Sequence, residues 1–161
     1  VALAPRREHT TRAAPVGEKN MGMNYYLVKE PFKCCSHCGQ TVDEPETIHI
    51  GKSSGGWCFS LHGIEGFAMS LDEWVPRFYE YPIIDESGTP ITPQEMIGKI
   101  KDRSIPSTLQ ERVDKSKWYS SVEEMLIKNS AIEGPGNLMR HASSTIHGGS
   151  ETWDLVLGDF S

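Results

Sequence analysis

Residues 34–39 read Cys34-Cys35-Ser36-His37-Cys38-Gly39, and residues 47–62 read TIHIGKSSGGWCFSLH. Two cysteines two residues apart, followed by glycine, form a knuckle whose tight turn aims both sulfurs at one point, and zinc takes four soft or borderline ligands in a tetrahedron. Gly39 lets the chain turn back with its amides toward the thiolates, a conformation costly for a residue carrying Cβ. The second stretch holds two β-prone runs, 47–50 and 57–61, around the glycine-rich segment 51–56, which predicts a hairpin. Its second strand places Cys58, Ser60 and His62 on one side. His49 joins that side in one pairing register and faces Trp57 and Phe59 in the other; the register is open because the turn can hold a bulge.

The expected metal site is Cys35, Cys38 and His49 with His62, or the same set with Cys58 in place of His62. Cys34 is the odd thiol or a substitute for Cys35, and His37 is expected to point outward. Four protein ligands close a zinc site, and closed sites hold structure, whereas catalytic sites keep one position for water. The competing readings are ordinary ones. Cys58 between Trp57 and Phe59 suits a small buried hydrophobe, and His62 suits a strand end at the surface. A redox pair would sit before a helix in a βαβ pattern, and none follows here.

Outward from the hairpin, the signals predict an α+β fold with a zinc-knuckle and β-hairpin core and about three short helices packed on it. Residues 25–28 form a short strand leading into the knuckle. Ser70-Leu71-Asp72-Glu73 is a capping box, and the helix that it opens carries Trp74 and Phe78 on one face, with Pro76 tolerated in its first two turns. Residues 83–91 read as strand, tight turn and short strand. Thr92-Pro93-Gln94-Glu95 is a second box with proline at the first helical position, followed by Met96 and Ile100 four apart. Residues 104–120, punctuated by Pro106, read as a loop or frayed helix. Ser121-Val122-Glu123-Glu124 opens a third helix with Met125, Leu126 and Ile127, Gly134-Pro135-Gly136 ends that region, and residues 152–160 form a closing strand.

The 161 residues suit one domain with appendages, and 37% hydrophobic residues suffice for a modest core. The first twenty residues lack hydrophobic periodicity and carry Arg6, Arg7, Arg12 and Lys19. They read as a disordered basic extension, residues 1–20, ahead of a single zinc-stabilised domain, residues 21–161, with Met21 as a natural start. A net charge of −6 argues against coating nucleic acid by bulk charge. No run of eighteen apolar residues would span a membrane. Three of the four cysteines lie within five residues, which suits a metal site in a reducing, cytoplasmic compartment better than a disulfide framework.

Two further clusters hold polar chemistry. The loop Lys52, Ser53, Ser54, Gly55 and Gly56 invites comparison with a phosphate loop, but the glycine that motif needs five positions ahead is Glu46, and no long helix follows. It reads as a flexible turn, or as a contact surface for a phosphate or a partner's carboxylate. Near the C-terminus, Arg140, His141 and His147 beside Gly148-Gly149, with Glu151 and Asp154, read as a solvated loop, or as a second polar site where histidine and carboxylate activate water or bind a catalytic metal.

The run Ile48-His49-Ile50-Gly51-Lys52-Ser53-Ser54-Gly55-Gly56-Trp57 after a cysteine knuckle, with the ending Glu151-Thr152-Trp153-Asp154-Leu155-Val156-Leu157-Gly158-Asp159-Phe160-Ser161, resembles a family of small tailed-phage proteins without an assigned function. The resemblance covers most of residues 21–161 and none of the first twenty. It implies the cytoplasm of an infected host and brings no activity with it. The expected function is a zinc-binding accessory protein that engages a protein partner, with Trp57, Phe59, Trp74 and Phe78 as core or anchor residues. An HNH-like nuclease would instead use His49 or His62 as general base and His141 or His147 as a metal ligand, but 70–80 lacks the expected histidine. A nucleic-acid-binding finger is weakened by the acidic balance and the lack of a basic recognition helix.

Overall fold

The computed structural model describes residues 22–30, 33–142, 145–147 and 151–160, with the side chains of 145–147 excepted. The expected basic extension 1–20, Met21 and Gly148-Gly149 lie outside the described residues. The chain runs β1 (Met23–Val28), β2 (Lys33–Cys34), β3 (Thr41–Asp43), β4 (Thr47–Ser53), β5 (Phe59–Gly63), α1 (Leu71–Glu80), β6 (Ile83–Asp85), β7 (Pro90–Ile91), α2 (Pro93–Lys101), α3 (Leu109–Lys115), α4 (Val122–Lys128), β8 (Ala131–Glu133), β9 (Met139–His141), β10 (Thr145–His147) and β11 (Trp153–Leu157). The class is α+β. Seven strands form one mixed sheet in the order β10-β11-β5-β4-β1-β6-β7, and β2–β3 and β8–β9 pair by themselves.

The predicted hairpin is present as β4 and β5, with Gly51 opposite Leu61 and Lys52 opposite Ser60. A bulge in β4 decides where His49 goes. Against β1, Tyr25 faces Gly51 but Tyr26 faces His49, so Ile50 has no partner in the ladder. Ile50 and Gly51 therefore both belong to the core side, and alternation resumes with His49 on the opposite face. Gly51 is needed for this. A Cβ there would collide with the Ser60 carbonyl oxygen and the Phe59 ring, so the missing side chain lets Phe59 fill the space beside Ile50.

The core-side face carries Tyr25, Leu27, Ile50, Phe59, Leu61, Ile83 and Leu155, and α1 and α2 cover it with Leu71, Trp74, Phe78, Met96 and Ile100. Trp74 is fully buried, and its indole N–H donates to the His62 carbonyl at 2.7 Å. Ser70 caps α1 by accepting from the Glu73 amide, but the Glu73 carboxylate bonds the Met69 amide, one residue upstream of the predicted partner. The Thr92 box forms in both directions. A further box is also complete: Thr108 and Glu111 bond reciprocally and start α3, within the segment expected to be a loop or frayed helix. Four helices, rather than about three, thus occur among the described residues.

Helices α3 and α4 join β8–β9 around a second apolar cluster of Leu109, Val113, Met125, Ala131 and Met139, with Trp57 and Tyr119 packed on it. The closing strand β11 lies parallel to β5, with Asp154 opposite Ser60 and Val156 opposite His62. The β1–β4 pair runs antiparallel up to Val28 opposite Thr47 and is extended by the Lys29 amide on the Glu46 carbonyl at 2.8 Å. The knuckle and its two short strands are carried beyond that point as a finger, and its cysteines belong to neither hydrophobic cluster. The core is thus built on the seven-stranded sheet and its helices, not around the knuckle.

Candidate functional site

The knuckle forms locally as predicted. The Gly39 amide bonds the Cys35 carbonyl at 2.9 Å, the Cys35 amide bonds the Gln40 carbonyl at 2.7 Å, and Gly39 takes φ +71°. The amides of His37 and Cys38, and then the Cys38 thiol, donate to the Cys35 sulfur and hold its pKa below the ordinary thiol value. Cys34, His37 and Cys38 are exposed and Cys35 is half-buried.

The expected histidine ligands stand together elsewhere. His49 and His62 lie with ring centroids 5.3 Å apart, and Phe160 packs edge-on against both at 5.0 and 5.1 Å. Each ring is tied through one nitrogen. Asn24 donates its amide NH2 to Glu86 at 3.0 Å, which turns its Oδ1 toward His49 Nε2 at 3.1 Å. His62 Nδ1 lies 3.1 Å from the His49 carbonyl, which can only accept. In the neutral rings, His49 Nδ1 and His62 Nε2 therefore keep their lone pairs. Cys58 lies in neither place. It is buried beside Gly134 and Arg140, and burial first, then Asp154, raises its thiol pKa. Among the described residues, no three His, Cys, Asp or Glu side chains come together as a group able to hold a metal. The structure thus keeps the cysteine pair and the histidine pair apart. The bulge puts His49 on the His62 face of the sheet, while the knuckle projects from the end of it.

Burial, and then His62 and Lys52, lower the pKa of His49 to about 4, against the opposing pull of Asp159. The unfolded side chain titrates near about 6.5. Between those values the unfolded chain binds the extra proton, so this histidine's contribution to stability is present above pH ~6.5 and is lost as pH falls toward ~4. Urea unfolding from pH 7 to 4.5 should show wild type losing more stability than His49→Gln, which keeps a donor for Asn24 and cannot charge. Parallel curves would contradict this.

Arg140, His141 and Asp154 of the C-terminal cluster lie in strands and not in a solvated loop. Arg140 in β9 and Asp154 in β11 are 4% and 0% exposed and pair at 3.0 Å. The guanidinium also donates to the carbonyls of Glu151 and Trp153. The His141 amide donates to Asp154 at 3.3 Å, while its ring stacks on Trp57 at 4.6 Å and lies 3.4 Å from Ser60 Oγ. Asp154 thus meets the backbone of His141 as well as the Arg140 guanidinium, and these contacts tie β9 to β11. The side chain of His147 lies outside the described residues.

The loop after Lys52 and Ser53, expected to be a flexible turn or contact surface, is gripped from inside. Arg103 donates to the carbonyls of Ser54 and Trp57 at 2.7 and 3.0 Å, and Arg112 to those of Gly56 and Asn137 at 3.3 and 3.1 Å. No local signal marks either arginine, because each guanidinium bonds backbone 25 to 56 residues away. No helix among the described residues is long and apolar enough to cross a membrane. Comparison with protein-family models, curated proteins and solved structures finds no match to this chain.

Proposed function

We propose that this chain is a zinc-binding protein-interaction module, in which Cys35 and Cys38 hold the metal on the exposed finger and the remaining coordination positions are filled from outside the finger. The observation that carries this reading is the knuckle turn: two adjacent sulfurs, amides directed at the first of them, and a glycine with positive φ behind them. Such a turn is half of a tetrahedral site before any metal arrives. Val42 on the same finger is 63% exposed and offers a partner an apolar contact. The tailed-phage likeness of the sequence suggests a host macromolecule as that partner.

The test is elemental analysis of the purified full chain, expected to give about one zinc per chain, with Cys35→Ser and Cys38→Ser each reducing it to a trace. Because the finger lies off both hydrophobic clusters, these variants should keep the wild-type near-ultraviolet signal of buried Trp74 and lose less than about 1 kcal/mol of stability. A pull-down from host lysate should then retain a stoichiometric partner on wild type and lose it on Cys35→Ser. Folded wild-type protein that takes up no zinc would end the proposal.

A further inference from the structure

Among the described residues, β8 has a single neighbour in its sheet, β9. The Ser130 carbonyl accepts from the Ala142 amide at 2.9 Å, and the Gly134 amide donates to the Leu138 carbonyl at 2.8 Å. Between them Ile132 stands opposite Arg140 in a regular antiparallel register. Bonding alternates along an antiparallel strand, so residues 130, 132 and 134 turn their backbone groups toward β9, and Ala131 and Glu133 turn theirs away. Among the described residues, the outward N–H and C=O of Ala131 and Glu133 bond no other backbone group.

Other margins of the fold are guarded against such pairing. Pro90 opens β7, at the margin of the seven-stranded sheet, and the β2–β3 ladder is interrupted between Lys33 and Cys34. Strand β8 reads Ala131-Ile132-Glu133, with no proline, lysine or bulge. Ala131 is buried in the second apolar cluster, while Ile132, on the other face of the strand, is 42% exposed. The outward groups are also complementary to themselves. When a second β8 lies antiparallel with Ile132 on the two-fold axis, Ala131 meets the partner's Glu133, and the two exchange N–H and C=O. Every outward group is then bonded. Ile132 packs on the partner's Ile132 at the close, non-hydrogen-bonded position, and each Glu133 stands opposite an alanine instead of another carboxylate.

We propose that β8 pairs antiparallel with β8 of a second copy of this chain, about a two-fold axis at Ile132, and so joins the two β8–β9 hairpins into one continuous sheet. The contact is short, smaller than the interface of a permanent dimer, so the pair forms and parts readily. It uses neither the knuckle nor zinc, so either proposal can fail alone.

The test is sedimentation equilibrium of the full chain at concentrations up to about 1 mM, where wild type should dimerise with a Kd of about 0.1 mM, a weak affinity suited to a small contact. Glu133→Pro removes an outward N–H and leaves the bonds to β9 in place, so it should weaken pairing at least about tenfold. Ile132→Lys and Ile132→Glu should each be monomeric, because like charges would stand directly opposed, and an equimolar mixture of the two should pair again. That recovery distinguishes lost pairing from lost folding. Cys35→Ser should dimerise like wild type. A wild-type chain that stays monomeric at about 1 mM, where most chains would be paired, leaves the edge to a strand of some other protein and overturns the proposal. So does a dimer that survives Glu133→Pro and both Ile132 variants, or one that Cys35→Ser abolishes, which would place the contact on the finger.

Discussion

Asp154→Ala is expected to lower unfolding stability by about 3–5 kcal/mol, the usual result of removing one partner from a buried ion pair. Asp154 is fully buried and Arg140 nearly so. Removing the carboxylate leaves a guanidinium that has lost its counter-charge and cannot reach water. The Arg140 bonds to the carbonyls of Glu151 and Trp153 persist, but neutral acceptors do not replace a charge. The His141 amide also loses the Asp154 oxygen that it meets at 3.3 Å. The pair joins β9, which belongs to the second apolar cluster, to β11 in the main sheet, so the loss should loosen one cluster against the other. A double variant, Arg140→Met with Asp154→Leu, should recover most of the deficit, because apolar side chains need no partner there. Urea unfolding of the three proteins decides this. A single variant within 1 kcal/mol of wild type, flagged by the ordinary range for surface substitutions of about ±0.5 kcal/mol, would mean that water reaches the pair.

Trp74→Ala should cost about 3–5 kcal/mol through lost transfer energy and the cavity left behind. The indole stands between Phe67 in edge contact at 5.5 Å and Phe78 in stacked contact at 5.9 Å, and it is fully buried. Its N–H bonds the His62 carbonyl at 2.7 Å, so truncation also leaves that acceptor without its donor. Trp74→Phe separates the two effects: it keeps most of the packing and loses the hydrogen bond, and should cost about 1–3 kcal/mol. Folded stabilities are about 5–15 kcal/mol, so the alanine variant approaches the unfolding threshold. Chemical denaturation followed by circular dichroism measures both, and equal costs for Phe and Ala would show that the ring packing contributes little.

The helix starts show what was legible and why. The cap at Ser70, the Thr92 box and the cap at Ser121 could be read because a side-chain oxygen and an amide three residues on meet within one turn. Thr108-Leu109-Gln110-Glu111 carries the same signal, but Pro106 reads as a break, and that break lies just ahead of the helix and not inside it. Glu73 reaches one residue further back than predicted, to the Met69 amide, and Glu124 reaches to the Ser120 amide in the same way, a choice between neighbouring donors that composition does not reveal. Arg140 and Asp154 read as charges of a solvated loop because no spacing within that polar cluster is diagnostic and the two stand fourteen positions apart. Only the parallel seating of β11 on β5 and the return of β9 across them bring the two into one dry place.

By itself the sequence determined the features that close within a few residues: the knuckle turn with Gly39 behind it, three of the helix caps, the β4–β5 hairpin and the α+β class. These depend on backbone angles and hydrogen bonds between near neighbours, which residue type controls directly. Tertiary structure alone decided which face His49 takes, through the bulge at Ile50 and Gly51, that the knuckle stands away from the core, and that Cys58, His49 and His62 do not join it. Each of those outcomes depends on how distant strands pair and on what space Phe59 and its neighbours fill, and a one-residue shift in a strand exchanges every side chain between the faces of the sheet.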